Sequence, residues 1–313
     1  MDRIAIVGVE SVVGANLAAA LSDSSRVYTL GATPDVSIAG CESVVCRLDD
    51  PESARRWTAS VRPSAIVVCG PGSHSTWQQD DADYPQPGAI NIPRTWARVA
   101  GEFGCRLTLI SSDAVFTGPW MFHKEDSDGA CPSDPAGILR QIEQDTWQLC
   151  PSALIVRTHA FGWTPQSLGT GWIERILCEL EAETAGLCDY LRHATPILAT
   201  DLAEILQQAW EAGLEGEYHI AGAERINPGR FVERLADEFN LPTPLAQSAD
   251  NLDDLPAGFG RGECSLHTAK IRRALGIAMP TIAEGFSRLR EQRDNGYRDR
   301  LCSATQPVHE KVA

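Results

Sequence analysis

Apolar residues in the first half of the chain come in short β-branched blocks, separated by polar segments of helix length. Arg3-Ile-Ala-Ile-Val-Gly8 is the first block. Its apolar positions are consecutive rather than alternate, which predicts a central parallel strand covered on both faces. Further strands are predicted at residues 26–30, 43–47, 65–69, 106–111 and 154–157. Helices fall between them: residues 15–21, a helix from Glu52 capped by Asp49-Asp50-Pro51, residues 91–100, and one entered near Asp134. Acid followed by proline is a helix-start signal. In the second half, residues 172–181, 201–210, 228–239 and 281–292 read as helices and residues 216–222 as a strand, with a polar loop running to Pro256.

Strands alternating with helices at this spacing mean a parallel sheet with crossover helices. The predicted class is α/β: a Rossmann-type doubly wound parallel sheet with a smaller, mixed C-terminal substrate lobe. Residues 1–157 and about 196–222 form the dinucleotide-binding domain, about 158–195 and 223–292 the lobe that closes a cleft over the strand ends, and 293–313 a polar tail.

The chain has 313 residues and a formal net charge of −15, with a sequence pI near 4.9. A polyanion would be repelled, so nucleic acid and anionic membrane are not expected partners. No apolar run approaches a membrane span. The ten cysteines are scattered without a C-x-x-C pair, which points to reduced thiols in a cytoplasmic protein and away from a disulfide framework or zinc site. Cys69 and Cys178, in apolar runs, are expected to be buried.

Strand, glycine turn and helix follow one another at Gly8-Val-Glu-Ser11-Val12-Val13-Gly14. Such a unit sets backbone amides against a pyrophosphate at a helix N-terminus. Ser11 stands where a middle glycine would allow the closest approach; its hydroxyl could donate to phosphate instead. The bland alternative is a strand–helix turn with no ligand. No acid for a ribose and no base for a 2′-phosphate follows the second strand, so NAD and NADP both stay open. Asp49 lies near the expected adenine position, or is simply a cap. Cys69 and Gly70, then Pro71-Gly72, would let a cofactor pass over the fourth strand, and Asn91 opens the next helix.

The fifth strand leaves the sheet at Ser111-Ser112-Asp113, where open α/β sheets place chemistry. Ser111-Ser-Asp-Ala-Val-Phe-Thr-Gly118 is similar to the S-T-D-Y-V-F-D-G of extended short-chain dehydrogenases of the dTDP-4-dehydrorhamnose reductase family. Leu154-Ile-Val-Arg-Thr158 resembles that family's L-I-L-R-T, Pro196…Asp201-Leu202-Ala203 its P-T…D-L-A, and residues 216–222 its G-x-Y-H-x-x-G. The order of these pieces spans nearly the whole chain.

The resemblance implies NAD or NADP as cofactor, a nucleotide sugar as ligand, and a catalytic set of Ser or Thr, Tyr and Lys. The family's tyrosine protonates a carbonyl oxygen as hydride arrives, and its lysine lowers the tyrosine pKa and holds the ribose. Here the Y-G-x-x-K stretch reads Ala136-Gly137-Ile-Leu-Arg140. Ser112 keeps the hydroxyl. Ala136, at the tyrosine position, has no proton to give; Arg140, at the lysine position, can hold a ribose but not exchange protons. His123 and Lys124 follow in the loop, and His123 is the substitute donor, or else a solvated loop histidine. His159 faces the cleft or packs at a strand end, and His219 is structural.

The expected function is a reductase-like NAD(P)- and sugar-nucleotide-binding protein without the standard Tyr/Lys step. The alternative is a divergent reductase or epimerase on a 4-keto nucleotide sugar, with Ser112 and His123, water or the substrate moving the proton. A third reading is a subunit acting through its surface, as a homodimer or with a partner enzyme; Trp163 and Trp172 would serve an interface or pack the lobe.

Overall fold

The structure, a computed structural model, describes residues 2–77, 84–184, 189–243 and 259–301. The end of the predicted loop to Pro256 and the tail beyond residue 301 lie outside the described residues. Seven strands make one sheet: β1 Arg3–Val7, β2 Arg26–Gly31, β3 Cys41–Val45, β4 Ala65–Cys69, β5 Arg106–Ser112, β6 Leu154–Thr158 and β9 Gly216–His219. Their order is β3-β2-β1-β4-β5-β6-β9, every pair parallel. The chain reverses direction across the sheet between β1 and β4, and at such a point the diverging loops leave a crevice.

Consecutive apolar residues bury both faces. Ile4 and Ile6 of β1 join a core with Leu17 of helix α1 (Val12–Leu21) and Leu202 and Leu206 of α6 (Ala199–Glu211). Ala5 and Val7 face the other way, towards Trp57 of α2 (Pro51–Val61), Trp96 of α3 (Asn91–Phe103) and Leu139 of α4 (Asp134–Leu149). Trp96 is fully buried and donates its indole N–H to the Leu48 carbonyl at 3.0 Å, so its one polar atom is satisfied.

The second half packs onto the first face. A small parallel pair, β7 (Ala160–Phe161) with β8 (Ile197–Leu198), carries Phe161 towards α5 (Trp172–Glu181), α7 (Pro228–Phe239) and α9 (Ile282–Asp294). Phe231 sits 5.3 Å from both Phe161 and Trp172 and 4.8 Å from Phe286. Trp163 and Trp172 are buried, as lobe-packing residues. One cluster runs from Ile4 through Leu198 to Phe231 and Phe286, so the two predicted units share a core.

Four details depart from the pattern reading. β3 lies two residues earlier than predicted, because an edge strand has a single partner and its register follows β2, with Gly31 opposite Val45. Cys178 is exposed, not buried: α5 buries Trp172, Ile173, Leu177 and Leu180, and residue 178 falls off that stripe. The polar region after 292 holds a helix, α10 (Tyr297–Arg300), whose buried Tyr297 donates its hydroxyl to Asn16 of α1 at 3.0 Å. A short helix, α8 (Ala269–Leu275), precedes α9 and was not foreseen.

Helix α4 is held to the sheet by charge. Glu143 accepts from Ser111 Oγ of β5 at 2.5 Å and from Arg157 of β6 at 2.9 and 2.7 Å. Arg157 also pairs with Glu217 of β9 and lies 4.9 Å over the Phe116 ring. Removing one partner of such a pair strands the other charge in the core. Glu143→Ala should therefore cost about 3–5 kcal/mol in denaturant unfolding, far above a surface substitution; a loss under about 1 kcal/mol would refute the clamp.

Burial pushes the Glu217 carboxyl up to about 7, against the pull of Arg157 and helped by the neighbouring carboxylates Glu143 and Glu125. Burial likewise raises Asp201 to about 6. Both hold protons in the folded chain that the unfolded chain has already released. These two groups therefore make stability fall as pH rises from about 4 to 7. Glu217→Gln should remove the upper part of that fall, seen as a flatter urea midpoint between about pH 5 and 7.

Candidate functional site

The crevice is walled by the turn after β1. Gly8 has φ +84°, and a Cβ there would stand 2.1 Å from the Cys69 carbonyl oxygen at the end of β4. A Cβ on Gly14 would stand 2.4 Å from the Gly8 oxygen. Both positions exclude any side chain, so turn, helix and β4 meet backbone to backbone. Gly70 follows Cys69 on the same wall.

Ser11 caps α1. Its Oγ accepts the Gly14 N–H at 2.9 Å and donates to the Gly8 carbonyl at 3.1 Å. The hydroxyl expected to reach a phosphate is thus committed inside the turn. The amides of Val12 and Val13 are what the first helical turn leaves for an anion. The donors this cradle offers are backbone amides alone, the groups that bind phosphate at a helix N-terminus.

An acid does stand at the end of β2, although no residue after that strand supplies it. Glu10, inside the glycine turn, crosses to β2 and accepts the Ala32 N–H on Oε1 at 2.6 Å. A Cβ on Gly31 would lie 2.6 Å from the same oxygen, so glycine there makes room for the carboxylate. Reading along β2 alone missed it; an acid two residues after Gly8 was the available signal.

Asp49 and Asn91 are brought together elsewhere. They line a pocket of about 210 Å³ with Pro51, Arg94, Thr95 and Arg98, to which no residue of the glycine turn contributes. Asp50, not Asp49, caps α2, taking the Glu52 and Ser53 amides.

Beyond β5 the hydroxyls are spoken for. Ser112 is buried; its Oγ accepts the Ala114 N–H at 3.1 Å and donates to Asp113 at 3.2 Å. Ala136, in the first turn of α4, has no exposed surface and shares a core cluster with Val115, Phe116 and Cys131. Arg140 donates through Nη1 to the Cys131 carbonyl at 2.7 Å and the Val115 carbonyl at 3.4 Å. It thereby ties the loop after β5 to α4.

His123 is neither solvated nor open to the crevice. It is 1% exposed, lies flat on Phe116 at 4.7 Å, and donates from Nε2 to the Glu263 carbonyl at 3.1 Å. Burial holds its pKa below the usual histidine value, which favours the neutral ring. Lys124 beside it is exposed. His219 is fully buried, donates to the His123 carbonyl, and is held well below the usual value by burial and by Arg157. His159 is buried against Asp113.

A family model for the RmlD substrate binding domain matches residues 2–293. A probable low-salt glycan biosynthesis reductase of Haloferax volcanii is 26% identical over 186 residues, 57% of this chain and 61% of that protein. The methionine adenosyltransferase 2 subunit beta of Danio rerio is 24% identical over 223 residues, 69% of this chain and 67% of that one. The chain thus spans about three fifths to two thirds of the curated relatives it matches. Among solved structures, dTDP-4-dehydrorhamnose reductase from Bacillus anthracis in complex with NADP superposes with TM-score 0.77 at 18% identity, covering 93% of this chain and 99% of that one. A Bordetella bronchiseptica enzyme in complex with NAD and UDP gives TM-score 0.72 at 15% identity, over 94% and 96%.

The two turn residues should separate on substitution. Ser11→Ala removes only a cap and should cost about 1 kcal/mol. Gly8→Ala must move backbone and should cost clearly more, by thermal unfolding of both variants side by side. Equal losses would show that the turn is not closed by contact with β4.

Proposed function

The chain belongs to the RmlD substrate binding domain family, and from that membership we propose that it is an NAD(P)- and sugar-nucleotide-binding protein that does not run the Tyr/Lys reductase step. One observation carries the reading. Where the family's proton donor would stand, Ala136 is sealed in the core, and Arg140, at the lysine position, donates Nη1 to loop carbonyls. Without a general acid, carbonyl reduction would lose about 10²–10⁴-fold in rate.

Binding has better support than turnover. A nicotinamide cofactor, when bound, supplies or accepts hydride. The residues here would hold its pyrophosphate on the Val12 and Val13 amides, over the side-chain-free contact of Gly8 with Cys69. The solved relatives were crystallised with NADP in one case and with NAD and UDP in another, which supports both a dinucleotide and a nucleotide-sugar ligand. One curated relative is named a subunit of an adenosyltransferase rather than a reductase. The divergent-enzyme reading loses one of its proton carriers, His123, which is buried, and keeps only water or the substrate beside Ser112.

Glu10 favours NAD. Its Oε1 is used on Ala32, and its second oxygen can accept from a ribose hydroxyl. A 2′-phosphate at the same place would face a carboxylate, at a cost of roughly 1 kcal/mol or more even in a largely wet site, about fivefold in affinity.

Fluorescence titration of the purified chain should show saturable NADH binding, at least about fivefold tighter than NADPH. Glu10→Gln should narrow that gap. Failure of both nucleotides to bind refutes the cofactor reading; reduction of a 4-keto nucleotide sugar at about 1–10³ s⁻¹ refutes the loss of reductase chemistry.

A further inference from the structure

Three neighbouring strands bring together three side chains that the cofactor reading does not use. Ser75 lies just beyond β4, Asp113 directly follows β5 and His159 directly follows β6. His159 Nδ1 is 2.9 Å from Asp113 Oδ2, and His159 Nε2 is 2.9 Å from Ser75 Oγ. The imidazole and carboxylate are shut from solvent, at 0% and 1% side-chain exposure, while Ser75 is half-buried.

Donor chemistry sets the direction of the bond to Asp113: a carboxylate only accepts, so Nδ1 carries a proton, and in the neutral ring Nε2 is then an acceptor facing the Ser75 hydroxyl. The backbone N–H of Trp77 donates to Ser75 Oγ at 3.2 Å, which uses one of the hydroxyl's acceptor sites and leaves its proton available to His159. The other Asp113 oxygen takes the Ser112 hydroxyl proton at 3.2 Å. The Trp77 ring, 4.6 Å from the imidazole, backs it on one side. Protons are thus ordered from Ser75 through His159 to Asp113. A hydroxyl and a carboxylate on opposite nitrogens of one imidazole is the arrangement that makes a hydroxyl nucleophilic, on whatever fold it occurs.

We propose that Ser75, His159 and Asp113 cleave small uncharged carboxylic esters. Ser75 Oγ bonds to the ester carbonyl carbon while His159 Nε2 takes its proton. The bond from that carbon to the alkoxy oxygen breaks, and His159 returns the proton to the leaving alcohol. Water then attacks the acyl carbon, gives a proton to His159, and displaces Ser75 Oγ, which is reprotonated. Ester and water become acid and alcohol, with no oxidant, reductant or cofactor. Asp113 is the positioning residue: it holds the ring and its tautomer. The half-buried serine limits the ester's size, and the net charge of −15 disfavours an anionic one.

The ester reading does not rest on the nucleotide reading, so either can fail alone. The full chain is treated with a fluorophosphonate probe and the adduct mapped by mass spectrometry, alongside p-nitrophenyl acetate hydrolysis. The expected result is a single adduct on Ser75 and a burst of p-nitrophenol. Both should fall at least about 10²-fold in Ser75→Ala and in His159→Gln variants that keep the wild-type thermal unfolding curve. A folded wild-type chain with no adduct on Ser75 overturns the proposal without recourse to any variant. So does labelling that persists in folded His159→Gln, since the hydroxyl would then need no base.

Discussion

Glu143 commits its carboxylate to holding the exit side of the sheet together. One oxygen serves both β5, through Ser111, and β6, through Arg157; the other serves Arg157 again. Both charges are nearly buried, at 7% and 9% side-chain exposure. The pair repays its desolvation only because the geometry is bidentate and the remaining guanidinium nitrogen meets Glu217 on β9. Helix, two central strands and the edge strand are therefore positioned by one cation. Loop 113–133 starts and ends on elements this ion pair fixes, and α4, which follows it, carries the divergent positions Ala136 and Arg140.

What the clamp presents, on the proposed reading, is a crevice without the family's usual acid. The first turn of α4 offers Ala136 to the core, and Arg140 is turned to loop carbonyls. The hydroxyl of Ser112 is likewise absorbed, into the Asp113 carboxylate. On the proposed reading the two substitutions act with the retained Ser112: Ala136 fills the tyrosine's space with core, Arg140 ties the loop, and the Ser112 hydroxyl is spent on Asp113, where a reductase needs a proton donor. Directly after β5 and β6 come Asp113 and His159, and their buried pair reaches Ser75 beyond β4.

Much of this was legible from the residues. β-branched blocks located the strands because a strand buried on both faces has no polar alternation to blur it. Ala65–Cys69, Trp172–Glu181 and Pro228–Phe239 coincide with their predicted spans. Elements whose pairing comes from a distant partner were less visible. The two-residue strands Ala160–Phe161 and Ile197–Leu198 exist only through each other, and α10 exists through Tyr297 against Asn16.

The chain's order of apolar blocks, its glycines and its run of motifs determined the family and the sheet, and put Ala136 and Arg140 where the resemblance expects Tyr and Lys, because these depend on neighbours a few residues apart. Only the tertiary structure decided where side chains point. It turned Ser11 inward to cap its own helix, sent Glu10 across to β2, buried His123 on Phe116, and set Ser75, Asp113 and His159 within hydrogen-bond reach. A hydrogen bond is settled by ångström-scale distance and direction between groups far apart in sequence, and spacing along the chain carries no record of either.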